Sequence, residues 1–160
     1  MDHVDRILAQ WQAERPDLDV GPMGVMGRLK RLQVHLSRGL ETVFARYGLN
    51  AASFDVLATL RRSGPPYALS PSDLMDWTMV SSGTMTNRID RLAEAGFVSR
   101  KRNPEDGRGF GIALTEKGFA LIDEAVSAHV GNQHALISQL SAEERDQLDR
   151  LLVRWLSAFE

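Results

Sequence analysis

Seven consecutive residues, "SSGTMTN" from Ser81 to Asn87, carry a concentration of small, uncharged, hydrogen-bonding groups. At the start of a helix, Ser81, Ser82, Gly83, Thr84 and Thr86 would let the backbone approach a surface that bulky side chains would hold away. Asn87 offers a paired donor and acceptor of the kind that matches adenine, and threonine methyls can meet a thymine methyl. The amides at a helix N-terminus also point toward phosphate. Cationic groups follow at Arg91, within reach of a duplex backbone, and at Arg108, in the stretch "SRKRNPEDGRGFGIALT" from Ser99 to Thr115. These are the groups that reading a DNA duplex requires. An ordinary surface helix with Ser and Thr near its cap is the competing reading of residues 81–94 taken alone.

Such groups need elements to hold them. Within Met85–Glu94, the residues Met85, Ile89 and Leu92 fall in an arc of about 60° at 100° per residue, a stripe fit for burial. Gly83, Asn87, Asp90 and Glu94 lie opposite, with Thr84, Thr86 and Arg91 on the flanks. A shorter helix precedes it, opened by Ser70 with Pro71 next and Asp73 three residues on, and running to Trp77. After it, Ser99–Arg102 and Phe110–Thr115 read as two strands joined by a loop too long and too charged for a minimal hairpin turn.

Helices dominate elsewhere. Val4 to Glu14 carries Ile7, Leu8 and Trp11 on one face, and "RPDLDVGP" breaks it. From Met23 to Tyr47 apolar residues recur at Val25, Leu29, Leu32, Leu36, Leu40 and Phe44, until Gly48 closes the helix. Asn50 caps a helix with Phe54, Leu57 and Leu60 on one stripe. Thr115 opens another over Glu116 to Leu140. Ser141 and Glu144 form a capping box for the last, where Leu148, Leu151, Leu152, Trp155, Leu156 and Phe159 repeat at helical spacing. That stripe is too apolar to stand in water and predicts a dimer interface, together with the N-terminal helices. Three helices followed by a β-hairpin make a winged helix-turn-helix. The fold class is therefore mainly α with a small β-hairpin, a winged helix-turn-helix flanked by N- and C-terminal dimerisation helices.

The 160 residues suit one domain, 43% hydrophobic and 25% charged. There is no cysteine, which excludes thiolate chemistry and disulfides. No apolar run approaches a membrane span, and the N-terminus lacks a signal-peptide core, so the expectation is a cytoplasmic protein with no membrane partner. The net charge of −2 hides an asymmetry: six basic against four acidic residues from Ser81 to Arg108, but four against eight from Glu116 to Glu160. His3, His35, His129 and His134 lack metal-ligand spacing, and "GPMGVMG" has neither the lysine nor the context of a phosphate loop. No enzyme, cofactor or metal site is expected.

The stretch "GTMTNRIDRLAEAGFVSRKRNPEDGRGFGIALTEKG" resembles the multiple antibiotic resistance regulator (MarR) family, whose recognition helix ends D-R-L-x-x-x-G, whose wing holds D-x-R, and whose next strand ends L-T-x-x-G. Here these are Asp90, Arg91, Leu92 and Gly96; Asp106 and Arg108; and Leu114, Thr115 and Gly118. The resemblance implies one MarR-like domain over 1–160. A DNA-binding lobe would span 50–115, with dimerisation helices over 1–47 and 116–160. It further implies an obligate homodimer on a palindromic double-stranded DNA operator, and the expected function is that of a repressor released from the operator by a ligand. Many relatives carry consecutive arginines in the wing, whereas Gly107 and Gly109 flank Arg108 here, leaving it the main anion-seeking group. Asp106 either positions Arg108 or serves as a turn residue. A winged helix used only for protein contacts is the alternative.

A finer resemblance lies in "WQAERPDLDVGPMGVMGRLKRL", which is similar to the extra first helix and connector of the family's urate-responsive branch. The matching ligand residues are Trp11, Asp55, Arg88 and Arg100, and the implied effector is a small planar or aromatic anion. Arg88 is unusual by position alone, since it sits beside the buried stripe and an unpaired charge there is costly. Core packing for Trp11 and a structural Asp55–Arg88 ion pair remain the alternatives.

Overall fold

The computed structural model describes residues 1–78, 85–102 and 110–160. It divides into two compact units, Met1–Gly39 and Leu40–Glu160. Helix α1 (His3–Glu14) belongs to the first, and α2 (Gly21–Arg46) runs through the division.

In the first unit Asp2 caps α1, accepting from the amides of Val4 (2.7 Å) and Asp5 (2.9 Å), while Asp5 accepts from the Asp2 amide (2.7 Å). Arg28 of α2 closes the arrangement through ion pairs to Asp2, at 2.8 Å, and to Asp5. Val4 is buried against α2 where Gly27 lacks a side chain; a Cβ there would lie 3.3 Å from Val4 Cγ1. Ile7 and Trp11 of α1, and Val25 and Leu32 of the apolar stripe on α2, remain exposed.

The second unit holds α3 (Ala51–Arg62), β1 (Ala68–Leu69), α4 (Pro71–Trp77), α5 (Met85–Glu94), β2 (Val98–Arg102), β3 (Phe110–Leu114), α6 (Glu116–Leu136) and α7 (Ala142–Leu156). The caps expected from sequence are present. Asn50 accepts from Ser53 (2.9 Å), Ser70 from Asp73 (3.1 Å), Thr115 from Gly118 (3.0 Å) and Ser141 from Glu144 (3.2 Å), each from the backbone amide. Gly48 takes φ +67° and ends α2, with the Leu49 amide donating to the Phe44 carbonyl (3.0 Å). α6 stops at Leu136, short of the expected Leu140.

The sheet has three antiparallel strands in the order β1-β3-β2, one more than the hairpin expected. Ala68 pairs with Ala113 and Leu69 with Ile112. A strand of two residues is too short to show alternation, which is why β1 leaves no sequence signal. One core joins Leu57, Leu60 and Leu74 to the α5 stripe, to Val98 and Ile112 of the sheet, and to Ile122 of α6.

Two sequence motifs meet at the end of α5. Gly96, φ +76°, terminates the helix, and the Phe97 amide turns back to the Leu92 carbonyl (2.9 Å). The first turn of α6 then takes up the carbonyls left over. Thr115 Oγ1 donates to Gly96 (2.7 Å), the Thr115 amide to Phe97 (3.0 Å) and Lys117 Nζ to Ala95 (2.8 Å). Gly118 leaves room for this contact, since a Cβ built there would stand 1.9 Å from the Phe97 carbonyl oxygen. The end of α5 is thereby pinned to α6.

His129 of α6 packs against the rings of Phe44 (centroids 5.3 Å apart) and Phe54 (4.7 Å), and its Nδ1 is buried with no hydrogen-bond partner among the described residues. Burial disfavours the imidazolium and holds its pKa below the ordinary 6.5. The unfolded chain therefore takes up the proton first as pH falls below 6.5. Stability is full above that value and declines until the folded-state pKa is passed. The melting temperature should fall less between about pH 7.5 and 5.5 in His129→Phe than in wild type, as thermal unfolding at the two pH values would register. Equal losses would mean the buried imidazole contributes nothing to acid sensitivity.

Candidate nucleic-acid interface

Helix α5 presents two different sides. Met85, Ile89 and Leu92 are buried at 3–4% exposure, as their spacing requires, while Thr86, Asn87 and Arg91 are exposed. Ser81, Ser82, Gly83 and Thr84, which complete the proposed groove-facing surface, lie outside the described residues, as do Asp106 and Arg108 of the wing. Among the described residues α5 turns these polar side chains out, and the apolar stripe anchors the helix to the core.

Asp90 is not part of that free surface. It is half-buried and pairs with Arg100 of β2, Oδ1 to Nη2, at 2.6 Å. Val98 and Arg100 share one side of β2 by the two-residue period of a strand, so Arg100 points toward α5. An arginine on the core-facing parity of a strand is the signal that could have foretold a partner on the helix. Across the sheet Arg100 stands opposite Ile112. Together with Pro71, Thr86 and Ile89 these two residues line a cleft of about 340 Å³. The structure thus brings Thr86, expected at DNA, and Arg100, expected at a ligand, to one place. Pro71, Ile89 and Ile112 were not expected there, because the pairing that assembles them is long-range.

Asp55 forms an ion pair with Arg62, at 3.9 Å. Arg88 is half-buried on α5, and its Nη1 is fully buried with no hydrogen-bond partner among the described residues. Trp11 stands exposed on α1 of the first unit, beside a shallow cavity lined by Ile7, Gln10, Trp11 and Glu14. Leu151, Leu152, Trp155, Leu156 and Phe159 are exposed, Phe159 to 76%, and Leu148 is half-buried; α7 buries none of its residues. No described group of three or more His, Asp or Glu residues is placed to hold a metal ion. No described helix is long and apolar enough to cross a membrane.

The fold recurs in known proteins. The HTH-type transcriptional regulator PecS of Dickeya dadantii is 47% identical over 151 residues, 94% of this chain and 91% of that protein. The chain belongs to the MarR family. The family model matches residues 47–109, from the end of α2 through the wing. A mutant MarR from E. coli, solved in complex with operator DNA, superposes with a TM-score of 0.71 at 26% identity, covering 91% of this chain and 97% of that one. Bordetella bronchiseptica BpsR, whose DNA binding is regulated by 6-hydroxynicotinic acid, gives 0.72 at 27% identity over 82% and 91% of the two chains. This MarR-family protein is a winged helix-turn-helix transcriptional regulator, and the identity to PecS fits the branch resemblance at the N-terminus.

Proposed function

We propose that this MarR-family protein is a cytoplasmic homodimeric repressor that binds a palindromic operator and releases it when a planar organic anion binds. Ser81, Ser82, Gly83, Thr84, Thr86 and Asn87 enter the major groove, Arg91 reaches the duplex backbone, and Arg108, set by Asp106, reaches the minor groove. The helices within 1–47 and 116–160 hold the two copies together.

The effector reading is carried by one observation, the buried Nη1 of Arg88 with no partner among the described residues. A desolvated guanidinium nitrogen left unpaired is expensive, and an anion is the ligand that satisfies it. Arg100, which pairs with Asp90, lines a separate cleft with Pro71, Thr86, Ile89 and Ile112. Regulation of BpsR by 6-hydroxynicotinic acid, a planar aromatic acid, supports the same ligand class. Asp55 on α3, Arg100 and Trp11 are assigned to the same effector by the branch resemblance alone. Because Arg88 belongs to α5, drawing it toward a ligand moves or rotates the helix that reads DNA. Ligand and operator then favour different placements of one element, which is the differential affinity a switch requires.

Coupling of about 1–3 kcal/mol weakens operator binding some five- to 150-fold. Operator affinity with and without urate or 6-hydroxynicotinate should show that loss in wild type and little of it in Arg88→Ala. A variant that responds as strongly as wild type removes Arg88 from the sensor.

A further inference from the structure

Arg62, the last residue of α3, uses its guanidinium in two directions. Nη2 donates to the main-chain carbonyl of Trp77, the last residue of α4. Nη1 faces Oδ1 of Asp55 at 3.9 Å. Asp55 stands seven residues earlier on α3, two helical turns back, so both side chains leave the same face. The carboxylate is only 20% exposed, and the guanidinium 48%.

α4 needs a cation at this end and does not supply one. Its last turn carries no basic residue, and positive charge there suits the helix dipole. The Thr78 amide satisfies the Leu74 carbonyl (3.2 Å) and the Thr78 hydroxyl that of Met75 (3.3 Å), while Trp77 is served by Arg62 from the neighbouring helix. A planar guanidinium can hold two partners at once, where a lysine ammonium offers a single charged point. Trp77 is the residue at which the chain leaves α4 toward α5.

We propose that Arg62 is the positioning residue through which the effector site acts on the helix-turn-helix. The inference rests on the effector reading above, in which Asp55 borders the anion. Without effector, Asp55 holds the Arg62 guanidinium against the end of α4 and fixes the exit toward the recognition helix. An anion seated beside Asp55 sets like charge against the carboxylate and draws it away from Arg62. The guanidinium then loses its counter-ion on α3, and the end of α4 loses a fixed cap.

The test uses the full-length protein with urate and 6-hydroxynicotinate as probes, measuring anion binding by calorimetry and operator affinity by fluorescence anisotropy. Wild type should lose operator affinity five- to 150-fold on saturation with the anion, the range of ordinary allosteric coupling. Arg62→Ala should bind the anion within about threefold of wild type yet lose less than about twofold in operator affinity when saturated. Its salt dependence should match wild type, because no phosphate contact is removed. Arg62→Lys, which keeps the charge but not the fork, should lie between the two, and it carries the comparison should the alanine variant fail to fold. Release of operator by Arg62→Ala as complete as in wild type overturns the relay. So does a salt slope lowered by about one ion, which would make Arg62 a phosphate contact. Loss of anion binding in Arg62→Ala also overturns it, by placing Arg62 inside the effector site. If wild type binds neither probe, the effector reading itself fails and the relay falls with it.

Discussion

Replacing Leu152 and Trp155 together by aspartate should leave a folded monomer that has lost tight operator binding. Both side chains are exposed on α7, which contributes nothing to the core of the second unit. A row of Leu151, Leu152, Trp155, Leu156 and Phe159 open to water on one helix is a surface awaiting a partner. In the proposed dimer, two-fold pairing of this face closes it without leaving a sticky remainder. Two aspartates placed in it would be desolvated on association without counter-ions, which costs several kcal/mol. The consequence for DNA is larger than the consequence for the fold. A dimer places two recognition helices one duplex turn apart, about 10 bp or a small multiple. A monomer engages one half-site and forfeits an effective-concentration gain of roughly 100-fold or more. Sedimentation equilibrium should report the single-chain mass at micromolar concentration, with circular dichroism still helical. A variant that sediments as a dimer places the interface elsewhere.

Gly118→Ala should be the most sterically destabilising alanine replacement among the glycines Gly21, Gly24, Gly27, Gly111, Gly118 and Gly131. The added Cβ would lie 1.9 Å from the carbonyl oxygen of Phe97 and 2.8 Å from its carbonyl carbon, and both are backbone atoms with no rotamer to yield. Relief requires moving the start of α6 off the end of α5, which breaks the bonds from Thr115 to Gly96 and Phe97. The cost lies at or beyond the upper end of ordinary overpacking, about 3 kcal/mol, against a total stability on the order of 5–15 kcal/mol. For a chain of this size that lowers the melting temperature by about 6–12 °C. Gly131→Ala in the same helix provides the contrast. Nothing lies within 4 Å of its Cβ, so replacing a mid-helix glycine should stabilise by about 0.5–1 kcal/mol. If both substitutions shifted the melting temperature alike, helix propensity and not the Phe97 contact would govern position 118.

These two sites also show what was legible in the sequence. Local signals read well. The caps at Asn50, Ser70, Thr115 and Ser141 need only a few neighbouring residues, and the Met85, Ile89, Leu92 stripe needs only helical period. The motif glycines Gly96 and Gly118 were legible as a family pattern. Their physical reason, a left-handed helix end lodged beneath the next helix, appears only when residues 96 and 118 meet in space. Partners across the fold were not legible. Arg100 was expected at a ligand and is found paired with Asp90, which had been assigned to the exposed face of α5. Arg62 leaves no signal in the sequence, because the carbonyl it serves is fifteen residues away. β1 was invisible because two residues cannot alternate long enough to declare themselves.

Base discrimination by Asn87 tests the central claim most directly. Operator affinity should be measured for wild type and Asn87→Ala against a panel carrying every single base change in one half-site. Asn87 is exposed on α5, beside Thr86 and clear of the buried stripe, where a paired contact to adenine can form. Wild type should discriminate by about 1–3 kcal/mol per changed base pair. In Asn87→Ala that discrimination should vanish at one or two positions and persist at the rest. An unchanged preference at every position would contradict the assignment of this face of α5 to the major groove.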